Sequence, residues 1–285
     1  QKQWFDEINK EWLDSRRNKE QIRILKAYEQ PSLIDQFIGN YNNKESIATC
    51  VESVLNQTYP DVEHIIVDGA STDGTQEVVQ SYGPRVAKFV SEKDKGLYNA
   101  LNKGLQMATG DIIGILHSDD LYFENTTLED VANCFMETQA DLVYGNGVYV
   151  DKQDISRVKR IYPAKPFSNR FLKYGWIPLH TTIYVKKEVF KEYGMYDESY
   201  KIASDYEISL RWFLEDKIKK YYLNQFLVKM RLGGKSTTAK LQKLKSKEDF
   251  KIIKQYNLLG FFTLGFKIAR KIPQYIKPRL GMRNF

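Results

Sequence analysis

From residue 33 onward, short apolar runs alternate with segments of helical periodicity, and this alternation restricts the fold more than any other feature of the chain. VEHIIVD (62–68), VAKFVSE (86–92) and DIIGILH (111–117) read as strands. Between them Ile47, Val51, Val54 and Leu55 form one helical stripe, and Leu97, Leu101, Leu105 and Ala108 form another. A helix over 125–138 follows, with Leu128, Val131, Ala132 and Phe135 on its apolar side. Successive βα units of this kind build a mainly parallel sheet, so the expected class is α/β, a Rossmann-like sheet flanked by helices.

The alternation stops after DLVYGNGVYV, where Pro163, Pro166 and Pro178 lead to a strand TTIYV (181–185) and a helix SDYEISLRWFLE (204–215). Three segments are expected. Residues 1–30 read as an amphipathic helical extension with Trp4, Ile8, Trp12, Ile22 and Leu25 on one side, and 31–240 as the main domain. Residues 241–285 read as a basic C-terminal extension of two helices, the second over 259–271. Cys50 and Cys134, far apart on apolar helix faces, suggest neither a disulfide framework nor a zinc site, and fit a reducing cytosol. The start lacks the apolar core of a signal peptide, and LLGFFTLGFKIA is too short to span a bilayer. The net charge of +7 is uneven: residues 229–285 hold 15 Lys and Arg against Glu248 and Asp249. A mildly acidic body with a basic tail argues against a nucleic-acid binder and for a local anionic partner.

Ligands of open parallel sheets bind beyond the carboxyl ends of the strands. Strand 62–68 ends in Asp68 and opens into GASTDGT, where Ser71 and Asp73 are placed to cap a helix starting at Gly74. Strand 86–92 leads to SEKDKG with Asp94, and strand 111–117 leads to Asp119 and Asp120. Two adjacent carboxylates repel, and a hard divalent cation relieves the repulsion; Mg²⁺ or Mn²⁺ commonly takes one or two carboxylates and completes its shell with substrate phosphates. The pattern points to a diphosphate-bearing substrate. MRLGGKST is no phosphate-binding P-loop, because Lys229 stands where the first glycine is needed.

The runs YNNKESIATCVESVLNQTYPDVEHIIVDGASTDGT, SEKDKGLYNALNKGLQMATGDIIGILHSDD and ASDYEISLRW together resemble the family 2 glycosyltransferases of the GT-A fold, especially bacterial enzymes of surface-polysaccharide synthesis such as capsule and lipopolysaccharide. The resemblance spans roughly residues 31–240. It implies that Asp68 binds the nucleobase with Tyr41 and Asn42 beside it and that Asp119 lies near the ribose; Asp94 is placed in the donor site by its strand tip, which with neighbouring strands adjacent converges with Asp68, Asp119 and Asp120 on one rim. It assigns Asp120 to the metal that bridges the donor diphosphate, and Asp205 to the general base. Ser204-Asp-Tyr-Glu207 also fits a capping box, which puts Asp205 in a first helical turn, projecting toward the rim. A base that deprotonates the acceptor hydroxyl during one in-line displacement inverts the anomeric carbon.

The chain departs from the family pattern at His117, which either tunes the site or packs, and in the first strand, where LIDQFIGNYNN places Asp35 and Gln36 in a buried position. His180 is either an acceptor-side residue or a core histidine, and His64 reads as structural. Trp176, with Tyr174, Tyr193 and Tyr196, either stacks on a sugar or packs in the core. The expectation is an inverting, Mn²⁺- or Mg²⁺-dependent transferase. It takes a nucleotide-sugar donor, UDP-linked by preference, and a saccharide or polyprenyl-diphosphate-linked acceptor. Its place is the cytoplasm, with peripheral contact to the inner face of the cell membrane through the basic tail. A catalytically silent nucleotide-sugar binder is the alternative.

Overall fold

A computed structural model describes residues 33–233 and 239–279, and the helical extension expected over 1–30 lies outside them. The sheet begins with β1 (Ile34–Asn40), β2 (Val62–Asp68), β3 (Lys88–Ser91) and β4 (Ile112–His117), joined by α1 (Lys44–Leu55), α2 (Thr75–Ser81) and α3 (Leu97–Met107). All of these strand pairings are parallel, in the order β3-β2-β1-β4. Alternation along each strand feeds two cores. Ile65, Val67, Ile113 and Ile115 face one side with Leu101 and Leu105 of α3, whereas Ile34, Ile38, Ile66, Ile112 and Leu116 face the other with Ile47, Val51 and Val54 of α1. Each of these fully covered aliphatic side chains contributes roughly 1.5–3 kcal/mol relative to exposure. Leu97, expected on the α3 stripe, is instead 44% exposed, because the first residue of that helix overhangs the sheet rim.

Where the sequence loses its βα alternation, the sheet changes character. It continues through β5 (Leu121–Tyr122), α4 (Thr127–Thr138), β6 (Leu142–Val150), β7 (Val158–Tyr162), α5 (Asn169–Lys173), β8 (Ile183–Lys186), α6 (Lys187–Tyr193), α7 (Ser204–Leu214) and β9 (Lys220–Arg231). Here β8 joins β4 and β6 antiparallel, β7 and β5 are antiparallel edges, and β9 alone runs parallel to β6. The result is a mixed sheet flanked by helices, parallel in its first half. Cys50 and Cys134 are buried and unpaired.

The tail forms three helices rather than two, α8 (Ala239–Gln255), α9 (Phe261–Ala269) and α10 (Lys271–Arg279). Ile252 and Ile253 of α8 enter the first core. α9 closes on the end of α5, where the Thr263 hydroxyl donates to the Lys173 carbonyl at 2.7 Å. Gly175 permits that approach: it has φ +66°, and a Cβ there would lie 2.7 Å from the Lys267 backbone.

The polar pair in β1 finds partners from two neighbouring segments, although Asp35 Oδ1 is buried without one. The Gly110 N–H donates to Asp35 Oδ2 at 2.7 Å, and the Tyr122 hydroxyl donates to Gln36. Asp35 lies in register with Glu63 of β2. Burial, and then Glu63, push the Asp35 carboxyl up from 3.8 to about 7. Between about pH 4 and 7 the folded chain therefore retains a proton that the unfolded chain has released, so this group's contribution is full below pH 4 and lost as pH rises through 7. Urea midpoints measured at pH 5 and pH 8 are expected to fall with rising pH in the wild type, and to fall less in Asp35→Asn. Equal falls in the two proteins would show that Asp35 is ionised throughout.

Candidate active site

Parallel pairing brings Asn40, Asp68, Ser91 and His117 to one rim: Asn40 is level with Asp68, Asp68 with Ser91, and Gly39 with His117. Asp68 is fully buried and takes four donors. Asn40 Nδ2 (2.9 Å) and the Ser71 hydroxyl donate to Oδ1, and the Ser71 N–H (2.8 Å) and Ser91 hydroxyl (2.6 Å) donate to Oδ2. Its carboxylate is thus spent on ordering the loops around it. The loop after β1 is laced to the loop after β2: the Asn42 N–H donates to Ser71 Oγ (2.7 Å), the Thr72 N–H to Asn42 Oδ1 (2.9 Å) and the Asn43 N–H to Thr75 Oγ1 (3.0 Å). α2 starts one residue later than expected, with Gly74 as its N-cap, while Asp73 receives the Thr75 N–H at 3.1 Å.

This lacing leaves the Tyr41 ring half exposed at the rim. A Cβ on Gly69 would fall 3.2 Å from that ring and 3.0 Å from Asp94 Oδ2, so glycine keeps a narrow gap between ring and carboxylate. Lys103 holds the other Asp94 oxygen at 2.9 Å.

Asp119 and Asp120 follow β4. The Asp120 N–H turns back to the His117 carbonyl at 2.9 Å. Arg231, at the end of β9, donates its N–H to Asp120 Oδ1 (3.3 Å) and its guanidinium to the Asp119 carbonyl (2.8 Å) and Thr49 Oγ1 (2.9 Å). Asp120 is 1% exposed, and its Oδ2 is buried with no hydrogen-bond partner from the protein. Burial, then the Asp119 charge, push its carboxyl well above the usual range. An orphaned acidic oxygen beside a second carboxylate suits a hard cation. Among the described residues no three His, Cys, Asp or Glu side chains converge on one point, so the remaining ligands of such an ion come from substrate or water.

Asp205 stands in the first turn of α7 but without the expected capping box. Ala203 is the N-cap, the Ser204 hydroxyl is unpartnered, and Glu207 is buried against Arg211, whose Nε donates at 3.2 Å. The i,i+4 pairing with Arg211 outcompetes a reach back to the cap. Glu248 of α8 caps the entry to α7 instead, accepting the N–H groups of Lys201, Ile202 and Ala203 at 2.9, 3.0 and 3.0 Å. The Asp205 side chain is 22% exposed. Oδ1 accepts the Tyr98 hydroxyl at 3.2 Å and lies 4.0 Å from Lys245 Nζ; Oδ2 faces His180 Nδ1 at 3.4 Å. Burial works to raise this carboxyl, but Lys245, His180 and Lys267 outweigh it and hold it well below the usual carboxylate range.

His180 Nε2 meets His117 Nε2 at 2.8 Å. Burial pushes His180 down to about 4 and lowers His117 as well, so both imidazoles are neutral at pH 7. With His180 Nδ1–H directed at Asp205, its Nε2 is an acceptor, and the contact requires His117 Nε2 to carry the proton. Asp205 is thereby connected through two imidazoles to the strand end that carries Asp119 and Asp120. Hydrogen-bond periodicity gives no hint of this pairing in sequence, nor of Tyr98 or Lys245.

Trp176 is corrected. It is 1% exposed, among Tyr144, Phe167, Phe171 and Phe213, and cannot stack on a sugar. Of its aromatic neighbours in sequence, Tyr196 is buried and stacks on Tyr98 at 5.7 Å, and Tyr174 is 49% exposed. His64 is a buried strand residue, as expected, lowered to about 3 by burial.

Residues 37–194 match the model of glycosyl transferase family 2. A PGL/p-HBAD biosynthesis glycosyltransferase of Mycobacterium bovis is 27% identical over 252 residues, 87% of this chain and 93% of that protein. Chondroitin synthase of Escherichia coli is 30% identical over 84% of this chain, which spans 34% of that longer protein. In structure the chain resembles TarS 1-349 of S. aureus in complex with UDP-GlcNAc (TM-score 0.61, 17% identity, 87% of this chain and 72% of that one). It also resembles the mannosyltransferase PcManGT of Pyrobaculum calidifontis in complex with GDP-Man and Mn²⁺ (TM-score 0.57, 17% identity, 84% and 74%). These likenesses establish the fold, and the family match covers more than half of the chain: the protein belongs to glycosyl transferase family 2 and is a glycosyltransferase.

Proposed function

We propose that this glycosyltransferase inverts the anomeric centre of a nucleotide-diphosphate sugar, UDP-linked by preference, as it transfers the sugar to a saccharide or lipid-linked saccharide in surface-polysaccharide synthesis. One observation carries the proposal: two carboxylates on one rim are driven in opposite senses, Asp120 toward needing a cation and Asp205 toward staying ionised. The named ligands of the structural neighbours, UDP-GlcNAc and GDP-Man with Mn²⁺, support a nucleotide sugar and a divalent ion. The free, buried cysteines suit a reducing cytoplasm.

In this mechanism the base of the donor enters the gap between Tyr41 and Asp94 that Gly69 keeps open, with Asn42 and Asp68 holding the loops and Asp119 near the ribose. Asp120 would hold Mn²⁺ or Mg²⁺, and the ion would supply positive charge to neutralise the donor diphosphate. Arg231 lies beside the acid pair and offers further positive charge. The acceptor hydroxyl oxygen bonds to the anomeric carbon, the bond from that carbon to the phosphate oxygen breaks, and the hydroxyl proton passes to Asp205. Tyr98, pushed by burial far above the usual phenol range, stays protonated and donates to Asp205 throughout, so it orients the base without competing for the proton. His180 orients the second oxygen from the acceptor side.

Calorimetric titration with UDP, GDP, dTDP and CDP, with and without Mn²⁺, is expected to give metal-dependent binding of one nucleotide, UDP foremost, and none in Asp120→Ala. Binding that survives in Asp120→Ala would remove the acid pair from the metal site. Gly69→Ala should remain folded yet bind that nucleotide about tenfold more weakly, a loss of roughly 1.4 kcal/mol, because its methyl intrudes on the gap; unchanged affinity would place the base elsewhere. Asp205→Asn is expected to lower kcat by about 10²–10⁴ while nucleotide affinity stays within about twofold. A wild-type protein that binds the nucleotide but transfers no sugar to any saccharide acceptor would instead favour the silent-binder alternative.

A further inference from the structure

α9 turns most of its apolar side chains outward, with Leu264 the one that packs partly on the core. Its most covered residue is Thr263, fully buried, and Lys267 points inward to Asp249 at 2.9 Å, while Phe261 and Phe262 are 76% and 73% exposed. Phe266 and Ile268 on the same helix, and Ile272 and Ile276 on α10, are also exposed. A helix at the surface of a globular protein ordinarily presents the reverse arrangement, with its apolar stripe against the core. Contiguous exposed apolar surface of this kind marks an interaction site.

Charge identifies the partner. Residues 250–285 contain eight Lys and Arg and no Asp or Glu. Exposed Lys254 of α8 lies 4.7 Å above the Phe250 ring, which stacks on Phe261 at 4.3 Å, and exposed Lys251 on the same helix lies 4.7 Å above the Tyr200 ring. Exposed Arg170 and Lys173 of α5 adjoin α9 from the other side, and Tyr174 meets Phe266 edge-on at 5.3 Å. A second copy of the chain would bring the same positive charge to this face, and an acidic protein would leave the phenyl rings unburied unless it also offered an apolar groove. An anionic bilayer satisfies both features at once, taking rings at the headgroup–acyl boundary and cations at the lipid phosphates. Among the described residues no helix is long and apolar enough to cross a membrane, so the contact is a docked face and not a span.

We infer that the exposed face of residues 259–276 docks on an anionic lipid surface. The opposite side of the same helix adjoins the candidate site: Lys267 lies 3.1 Å above the Tyr206 ring and contributes to the depressed Asp205 carboxyl. Docking therefore sets the pocket within about one helix diameter, ~10 Å, of the lipid surface, which suits a lipid-linked acceptor. That last consequence rests on the reading of Asp205 above; the docking face does not.

The test is co-sedimentation of the full chain with vesicles of phosphatidylcholine alone and of phosphatidylcholine with phosphatidylglycerol. Binding is expected only to the anionic vesicles, weakening as salt rises. The double variant Phe261→Asp, Phe262→Asp should bind at least about tenfold more weakly, since both rings are solvent-exposed and their loss leaves the fold intact. Lys251→Glu, Lys254→Glu should weaken binding in low salt most of all. Nucleotide titration of the same variants is expected to match the wild type, which separates failure of docking from failure of the transferase site. Equal vesicle binding by wild type and the Phe variant, binding indifferent to phosphatidylglycerol, or a soluble dimer in sedimentation equilibrium that the Phe variant abolishes would each overturn the inference, the last in favour of a second copy.

Discussion

The buried carboxylate of Asp68 is the interaction on which the rest of the site depends. It ends β2, and its four donors come from β1, from β3 and twice from the loop that follows it. A buried carboxylate with fewer partners would be expensive, and one with this many fixes every loop that supplies a donor. The loop at Ser71 in turn holds Asn42, and Asn42 holds Thr72, so two loops that differ widely in sequence position share one geometry. The exposure of Tyr41 and the gap at Gly69 follow from that lacing. Asp68 therefore shapes this rim chiefly through the walls it builds.

The site separates its carboxylates by surroundings rather than by distance alone. Asp120 has a backbone N–H, one cation and an acidic neighbour, and burial dominates; Asp205 has two lysines and an imidazole nearby, and these dominate over burial. The same side chain thus reaches opposite proton affinities on one rim. Lys245 and Lys267 are supplied by α8 and α9, so the tail helices are part of the electrostatics of Asp205 and not a detachable appendage.

Strand tips were legible because a buried parallel strand leaves an apolar run, and the first polar residue after it must lie at the rim. Asp68, Asp119 and Asp120 are placed by that logic alone, and the family resemblance added Asp205. The capping box failed because Glu207 had a better partner in Arg211, four residues along the same helix and invisible to a motif of spacing alone. Trp176 failed because an aromatic residue near prolines looks the same whether it lines a cleft or fills a core; its burial against Tyr144 and Phe213 is decided by chain segments more than thirty residues away. The His117–His180 contact joins residues 63 apart and leaves no periodic trace. Similarly, Asp35 and Gln36 looked costly in β1 until Gly110 and Tyr122 supplied their partners.

A carboxyl held as low as Asp205 is a poor proton acceptor in water, but the proposed reaction takes place with both substrates bound. Desolvation already acts to raise it and is overruled by lysine charge. A donor diphosphate brings negative charge that draws on the same lysine field, and an acceptor over the 22% exposed face removes water from the carboxylate. Both changes act in one direction, toward a higher proton affinity. In the proposed mechanism the low resting value would keep Asp205 ionised until both substrates are in place, and its rise on their arrival would confine strong basicity to the loaded site.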